Sequence, residues 1–236
     1  MKNFHNHKAK KSVIVTGISG GIAQPLIFNL KQDGYNIIGL DINDYEGETI
    51  DFHRIDLSNK ESIIKVLEEV NCLNKVEGVI HLGGIYPNKK IEEYGSDLWE
   101  KVFSINVSSI FYLIQGLLEK AENLKSIILV SSTASVIGSK DPAYTASKAA
   151  LTGLSKSLSL SLADRNIRVN TVLPGIIDTK MSKVQSEQRR NYHISNTLSK
   201  RIGHPEDVAN MISFLLSPKS SYVWGAQIEI NGGMTV

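Results

Sequence analysis

Ser12-Val-Ile-Val-Thr16-Gly17-Ile-Ser19-Gly20-Gly21-Ile22-Ala23 joins a short apolar run to a glycine-rich turn and then to an amphipathic stretch. Four β-branched residues in five (Ser12 to Thr16) read as a buried strand. Ile22 to Asp33 follows at helical spacing, with Pro25 in the first turn, where its missing N–H costs nothing. Glycines at such a junction let the backbone turn sharply and approach an anion seated on the helix N-terminus. Directly after a first strand, the turn marks Gly17, Ser19, Gly20, Gly21 and Ile22 as a dinucleotide cradle; a plain tight turn is the bland alternative.

The same alternation runs to the end of the chain. Further strands are expected at Asn36–Leu40, Asp51–Ile55, Val76–Ile80, Ser126–Val130, Asn166–Leu173 and Gln227–Ile230. Helices are expected from a Ser58 cap with Glu61 three residues on, from Ser96 to about Glu119, from Ala143 to Asp164, and from His204-Pro205-Glu206 through Phe214. This predicts an α/β fold, a Rossmann-like doubly wound parallel sheet of about seven strands with helices on both faces. The second-to-third strand connection is too short for a crossover helix. Thr179 to Gly203 is the least regular polar stretch, and a mobile lid is expected there.

Composition sets the class. The 236 residues are 42% hydrophobic and 21% charged, with net charge +2, so neither nucleic acid nor an anionic membrane is an expected partner. The single cysteine, Cys72, excludes an intrachain disulfide, and no apolar run spans a bilayer. A cytoplasmic protein is expected, with residues 1–11 a disordered basic tail and 12–236 one dinucleotide-binding and catalytic domain. His5 and His7 in that tail lack a third ligand nearby, and no metal site is expected.

Ligands of such sheets sit at the carboxyl ends of the strands. Asp41 ends the second strand where a ribose-binding acid belongs. Its charge would repel a 2′-phosphate, and no Arg or Lys follows in Ile42-Asn43-Asp44, so NAD is expected rather than NADP. Tyr144 and Lys148, four apart on one helix, share a face. A cation beside a phenol favours the phenolate and makes it a usable acid/base near neutral pH. Alone, that spacing is common on helix surfaces.

Taken together, these residues resemble the short-chain dehydrogenase/reductase family in its compact single-domain branch, over about Lys11 to Gly233. The turn is similar to the family's Thr-Gly-x-x-x-Gly-x-Gly, and Asp56-Leu57 to its adenine-holding pair. Asn106 in Ile105-Asn106-Val107, Ser131-Ser132, Tyr144 and Lys148 resemble its catalytic motifs. Arg168 to Gly175, followed by Ile177 and Thr179, resembles its nicotinamide clamp. Gly203 to Ala209 and Asn231 to Gly233 resemble its C-terminal signatures. The resemblance implies Tyr144 as general acid/base, and Lys148 as the cation that lowers its pKa and binds the nicotinamide ribose. It implies Ser132, rather than Ser131, on the substrate oxygen, and Asn106 holding a proton-relay water. Gly83, Gly84, Pro174, Gly175, Ile177 and Thr179 would line the cofactor.

Two departures stand out. Ala23 replaces a glycine whose role is close helix packing. His81-Leu82-Gly83-Gly84 replaces Asn-Asn-Ala-Gly, and His81 is expected as a hydrogen-bonded core histidine. The substrate, a small alcohol or ketone, should meet Ile85, Tyr86, Pro87, Ile137, Gly138 and the lid, whose Lys183, Arg189, Arg190, Lys200 and Arg201 would suit a carboxylate or phosphate. His193 is a candidate substrate contact in that lid. Ser220 to Gln227 resembles members acting on hydroxysteroids; the short second crossover also resembles members oxidising cyclic dihydrodiols. In the family the two long helices pair across a two-fold axis, which implies a homodimer or homotetramer. The leucine stripe Leu151, Leu154, Leu158 and Leu162 is expected to extend that surface. The expected function is NAD-dependent interconversion of a secondary alcohol and a ketone. The alternatives are an NADP-dependent 3-ketoacyl-thioester reductase and a non-catalytic dinucleotide-binding regulator.

Overall fold

The structure is a computed structural model describing residues 11–47, 50–184 and 186–236; His5 and His7 lie outside them. In chain order the strands are β1 (Ser12–Thr16), β2 (Asn36–Asp41), β3 (Asp51–Arg54), β4 (Val76–His81), β5 (Ser126–Val130), β6 (Arg168–Pro174) and β7 (Gln227–Ile230). They form one parallel sheet in the order β3-β2-β1-β4-β5-β6-β7. The order reverses between β1 and β4, which opens a crevice at their carboxyl ends. The helices are α1 (Ala23–Gln32), α2 (Lys60–Glu69), α3 (Ser96–Phe103), α4 (Ser109–Leu117), α5 (Ala134–Ile137), α6 (Pro142–Ser161), α7 (Glu187–Asn196) and α8 (Pro205–Leu216).

Side chains alternate across the sheet, so each strand feeds two apolar layers. Val13 and Val15 of β1 pack with Leu26, Ile27 and Leu30 of α1 and with Val208 and Ile212 of α8. Ile14 faces the opposite layer, with Ile63 of α2, Leu113 of α4 and Leu151 of α6. Leu162 is buried in that second layer, and Leu154 and Leu158 pack partly buried against it. Of the leucine stripe expected at a subunit surface, Leu151 and Leu162 are thus taken into the chain's own core, while Leu154 and Leu158 remain partly exposed.

Several boundaries differ from expectation for local reasons. Lys11 belongs to the fold rather than to a tail: its carbonyl accepts from Asn36 N–H at 2.9 Å, and its ammonium lies 3.9 Å from the Tyr35 ring centre. Asn59, not Ser58, caps α2, accepting from Ser62 N–H at 3.0 Å, because Ser58 is held by Asp56 Oδ1 through both its N–H and its hydroxyl. Ser96 is the first residue of α3, and Gly95 precedes it without a side-chain cap. The long helix begun there is not uniform: a π-helical turn at Ser104–Ser108 separates α3 from α4. Asn166 takes a left-handed backbone (φ 58°), so β6 starts only at Arg168. The expected irregular lid contains the ten-residue helix α7.

Candidate active site

Gly17 adopts φ 71°, and a Cβ there would lie 2.8 Å from the backbone nitrogen of Gly83. Only glycine lets the turn after β1 press against the turn after β4. A Cβ on Gly21 would meet Thr179 Cγ2 at 2.7 Å, so the segment after β6 lies against the same turn. The N-terminus of α1 has no side-chain cap; Ala23 N–H is given to Gly20 O at 3.1 Å and Pro25 has none, and the positive end of the helix still faces the turn. Ala23 is fully buried among Val13, Val15 and Leu26, so alanine fits where the family has its packing glycine.

At the crevice lies a cavity of about 280 Å³. Its lining includes Gly17, Ser19, Gly20, Gly21 and Ile22 at one end, Gly84, Ser132, Tyr144 and Lys148 at the other, and Pro174, Gly175, Ile177 and Thr179 along the side. Asp41, Asp56, Leu57, Gly83 and Asn106 do not line it. Asp41 lies just behind the turn, buried, and accepts from Ser19 N–H at 2.9 Å and from Asn43 N–H at 2.9 Å. Its charge therefore sits where β2 ends. Arg54, paired in register with Asp41, donates through Nε to Ile42 O at 3.1 Å and lies 3.7 Å from Asp44 Oδ1. That guanidinium escaped the sequence reading because it comes from β3, far along the chain. Leu57 packs beside Gly83, while Asp56 is spent on Ser58.

Tyr144 and Lys148 rise one turn apart on α6 as their spacing required. The Ser132 hydroxyl faces the same end of the cavity as Tyr144 and lies near enough to its phenol to favour the phenolate, and it accepts from Ala134 N–H at 3.1 Å. Ser131 is turned away: its hydroxyl donates to the Lys148 carbonyl at 2.7 Å, tying β5 to α6. Lys148 is buried, donates from Nζ to Val130 O at 2.8 Å, and sits 5.8 Å from the Tyr144 ring centre. Burial pushes its pKa down to about 8. Tyr144 differs from expectation. Its pKa lies above the ordinary phenol value, because burial raises it more than the nearby Ser132 hydroxyl lowers it. With Lys148 directed at Val130, the phenol is held protonated.

The π-helical turn explains Asn106. Asn106 sits within this widened turn, and His81 Nε2 donates to its carbonyl at 3.3 Å. The Asn106 amide is fully used: Oδ1 accepts from Ile85 N–H at 2.8 Å, and Nδ2 donates to Ile85 O and to Ser147 Oγ at 3.1 and 3.0 Å. A Cβ on Gly84 would stand 3.2 Å from Asn106 Oδ1 and 3.3 Å from Lys148 Nζ, so this glycine brings the two side chains together. His81 is fully buried, with Nδ1 2.8 Å from Thr16 Oγ1. Thr16 Oγ1 also accepts from Gly83 N–H at 3.1 Å. The Asn106 carbonyl can only accept, so Nε2 carries the proton; in the neutral imidazole Nδ1 then accepts from the Thr16 hydroxyl. Burial, with Lys148 adding to it, pushes the His81 pKa down to about 3. A histidine thus joins β1 to the Asn106 turn, as expected of a core residue.

Asp141 was missed by the sequence reading, although Asp141-Pro142 is a helix-start signal. It is buried and caps α6, accepting from Tyr144 N–H at 2.9 Å, from the Tyr94 hydroxyl at 2.6 Å and from Lys89 N–H at 3.1 Å. The segment after β4 is thereby pinned to the turn that carries Tyr144. Of the expected pocket residues, Tyr86, Ile137 and Gly138 line the cavity and Ile85 and Pro87 do not; Met181 and Met234 join them. The basic lid residues separate. Arg189 and His193 line the cavity. Arg190 pairs with Asp178 at 3.4 Å, Lys200 donates to Ser195 O at 2.7 Å, and Arg201 grips both Asp207 oxygens at 2.6 and 3.0 Å. Among the described residues no group of three or more His, Cys, Asp or Glu is placed to hold a metal ion, and no helix is long and apolar enough to cross a membrane.

Residues 17–235 match the protein family described as enoyl-(acyl carrier protein) reductase. The 3-oxoacyl-(acyl-carrier-protein) reductase FabG of Buchnera aphidicola subsp. Schizaphis graminum is 32% identical over 238 residues, which span 95% of this chain and 97% of that protein. A short chain dehydrogenase family protein from Francisella tularensis subsp. tularensis SCHU S4 superposes with a TM-score of 0.88 at 32% identity, over 96% of this chain and 99% of that one. The aldohexose dehydrogenase AldT of Thermoplasma acidophilum, in ligand-free form, superposes with a TM-score of 0.87 at 27% identity, over 96% and 94%. The chain belongs to the short-chain dehydrogenase/reductase family.

Proposed function

We propose that this oxidoreductase interconverts a secondary alcohol and a ketone, with NAD preferred to NADP and Tyr144 as the general acid/base. The observation that carries the reading is the meeting of Tyr144, Ser132 and Lys148 at one end of a cavity whose other end is the Gly17–Ile22 turn. That turn suits a dinucleotide: a Cβ on Gly17 or Gly21 would clash with its neighbours, and the α1 N-terminus is uncapped. The backbone N–H groups of Gly21 and Ile22 would hold the pyrophosphate, those of Ser19 and Gly20 being given to Asp41 and Gly17, and Lys148 would hold the nicotinamide ribose. Gly84, Pro174, Gly175, Ile177 and Thr179 would bound the nicotinamide end. The bound dinucleotide supplies or accepts the hydride.

Tyr144 and Ser132 line the same end of the cavity, so both hydroxyls can reach a single substrate oxygen. In reduction Tyr144 donates its phenolic proton to the ketone oxygen; in oxidation it takes the alcohol proton. A phenol kept protonated by burial favours the reductive role near neutral pH. Ser132 stabilises charge developing on that oxygen. Lys148, protonated below about pH 8, favours the phenolate that reduction leaves behind.

The NAD preference rests on the Asp41 charge behind the turn, which disfavours a second phosphate on the adenosine ribose. A second reading, a 3-ketoacyl-thioester reductase using NADP, is favoured by the name of the Buchnera relative. One experiment separates the two: titration with NAD, NADH, NADP and NADPH, then turnover on simple ketones and on 3-ketoacyl thioesters, read at the absorbance of the reduced nicotinamide. Tighter binding of the NADP pair, with thioester reduction, would overturn the NAD reading.

A further inference from the structure

We propose that the substrate carries an oxyanion, a carboxylate or phosphate, held by Arg189 with Tyr86 and His193 on the wall facing Tyr144. This inference rests on the oxidoreductase reading above. Arg189 and His193 lie four apart on α7, so they share one helix face, and both line the cavity. Tyr86 couples that face to the site. Its ring meets the Tyr144 ring edge-on, with centres 4.8 Å apart. Its hydroxyl donates to Asn88 Oδ1 at 2.8 Å, and the Arg189 guanidinium is near enough to favour its phenolate. Arg189, Tyr86 and Tyr144 thus line one continuous cavity, with Tyr86 packed against the reacting phenol.

Three features make this a place for an anion. Among the described residues Arg189 has no carboxylate within ion-pair distance, whereas Arg190 and Arg201 are paired with Asp178 and Asp207. The cavity lining contains Lys148, Lys180, Arg189 and His193 but no Asp or Glu. Nδ1 of His193 is buried without a hydrogen-bond partner, a costly condition that a ligand oxygen would relieve. Burial and the nearby Arg189 hold the His193 pKa below its ordinary value, so its imidazole is neutral and free to place a proton on Nδ1. Lys180 follows Thr179, which abuts Gly21, and belongs to the dinucleotide end. Arg189 belongs to the substrate end. A guanidinium offers a planar fork that fits an oxyacid in two bonds.

The test uses matched pairs that differ only in charge. One arm compares 3-oxo acids of about four to eight carbons with their methyl esters. The other compares dihydroxyacetone phosphate with dihydroxyacetone. For each pair, kcat/KM with reduced dinucleotide and equilibrium binding by calorimetry are measured on the wild type and on Arg189→Met. We expect the charged member of one arm to be preferred by roughly tenfold or more, and R189M to cut that preference by roughly tenfold, mainly through KM. The arm that responds identifies carboxylate or phosphate. Equal treatment of charged and neutral members by the wild type, in turnover and binding, overturns the proposal, as does a preference that survives in R189M. Neutral members turned over without any charge preference would refute this subsite and leave the oxidoreductase reading standing. Charge-selective binding without turnover of any ketone would do the reverse.

Discussion

His81 makes the fold sensitive to acid in a way that can be isolated. In the unfolded chain its imidazole protonates near ~6.5; in the fold, burial holds that event down to about 3. The folded pKa is depressed, so the stability it contributes is complete above the unfolded value. It is lost as the pH falls from about 6.5 toward about 3. At pH ~4.5, about two pH units into that window, the loss is about 3 kcal/mol at roughly 1.4 kcal/mol per unit. The full window is worth about 5 kcal/mol. Urea unfolding of the wild type and of His81→Asn at pH ~7.5 and ~4.5 measures it. At pH ~7.5 the variant should be less stable by about 1–3 kcal/mol, having lost one or both bonds to Thr16 and Asn106. By pH ~4.5 the gap should close or reverse, since asparagine does not titrate. Parallel pH slopes in the two proteins would refute the reasoning. So would an NMR imidazole resonance for His81 that titrates near 6.5.

Four further substitutions have expected outcomes. Asp141→Ala removes the α6 cap and strands the Tyr94 hydroxyl and Lys89 N–H; it should lower stability by about 2–4 kcal/mol in chemical unfolding and lower kcat, because Tyr144 sits in that first turn. Gly17→Ala puts a Cβ against backbone at φ 71° and should cost about 1–3 kcal/mol and weaken dinucleotide binding in a fluorescence titration; an unchanged affinity would separate the turn from the cofactor. Asp41→Ala should bring the affinities for NAD and NADP together by relieving repulsion at the ribose, while Arg54→Ala should weaken NADP alone if that guanidinium helps a 2′-phosphate.

The sheet was readable because buried parallel strands leave a dense local mark. Ser126–Val130 and Gln227–Ile230 match the expected ends residue for residue. Tyr144, Lys148 and the glycine turn were readable because their spacing and position are themselves the chemistry. What escaped depends on groups distant in sequence. The polar helix α7 shows no apolar stripe, since its inner face bears Arg189 and His193 toward a cavity rather than leucines toward a core. Choosing between Ser58 and Asn59 as a cap required knowing that Asp56 claims Ser58. The π-helical turn at Asn106 is stabilised from outside the helix, by His81 on a neighbouring strand. The raised Tyr144 pKa follows from the depth of its phenol, which no spacing conveys.

The central claim is that Tyr144 moves the proton that accompanies hydride transfer. Tyr144→Phe removes one oxygen from the cavity and leaves α6, Lys148 and the glycine turn in place. Reduced-nicotinamide absorbance with the best substrate of a ketone and alcohol panel, together with a dinucleotide binding titration, tests it directly. The expected result is turnover lowered by roughly a hundredfold or more with dinucleotide affinity retained. Turnover retained in Tyr144→Phe would contradict the claim. A wild type that binds the dinucleotide but turns over no alcohol or ketone would favour the non-catalytic regulator instead.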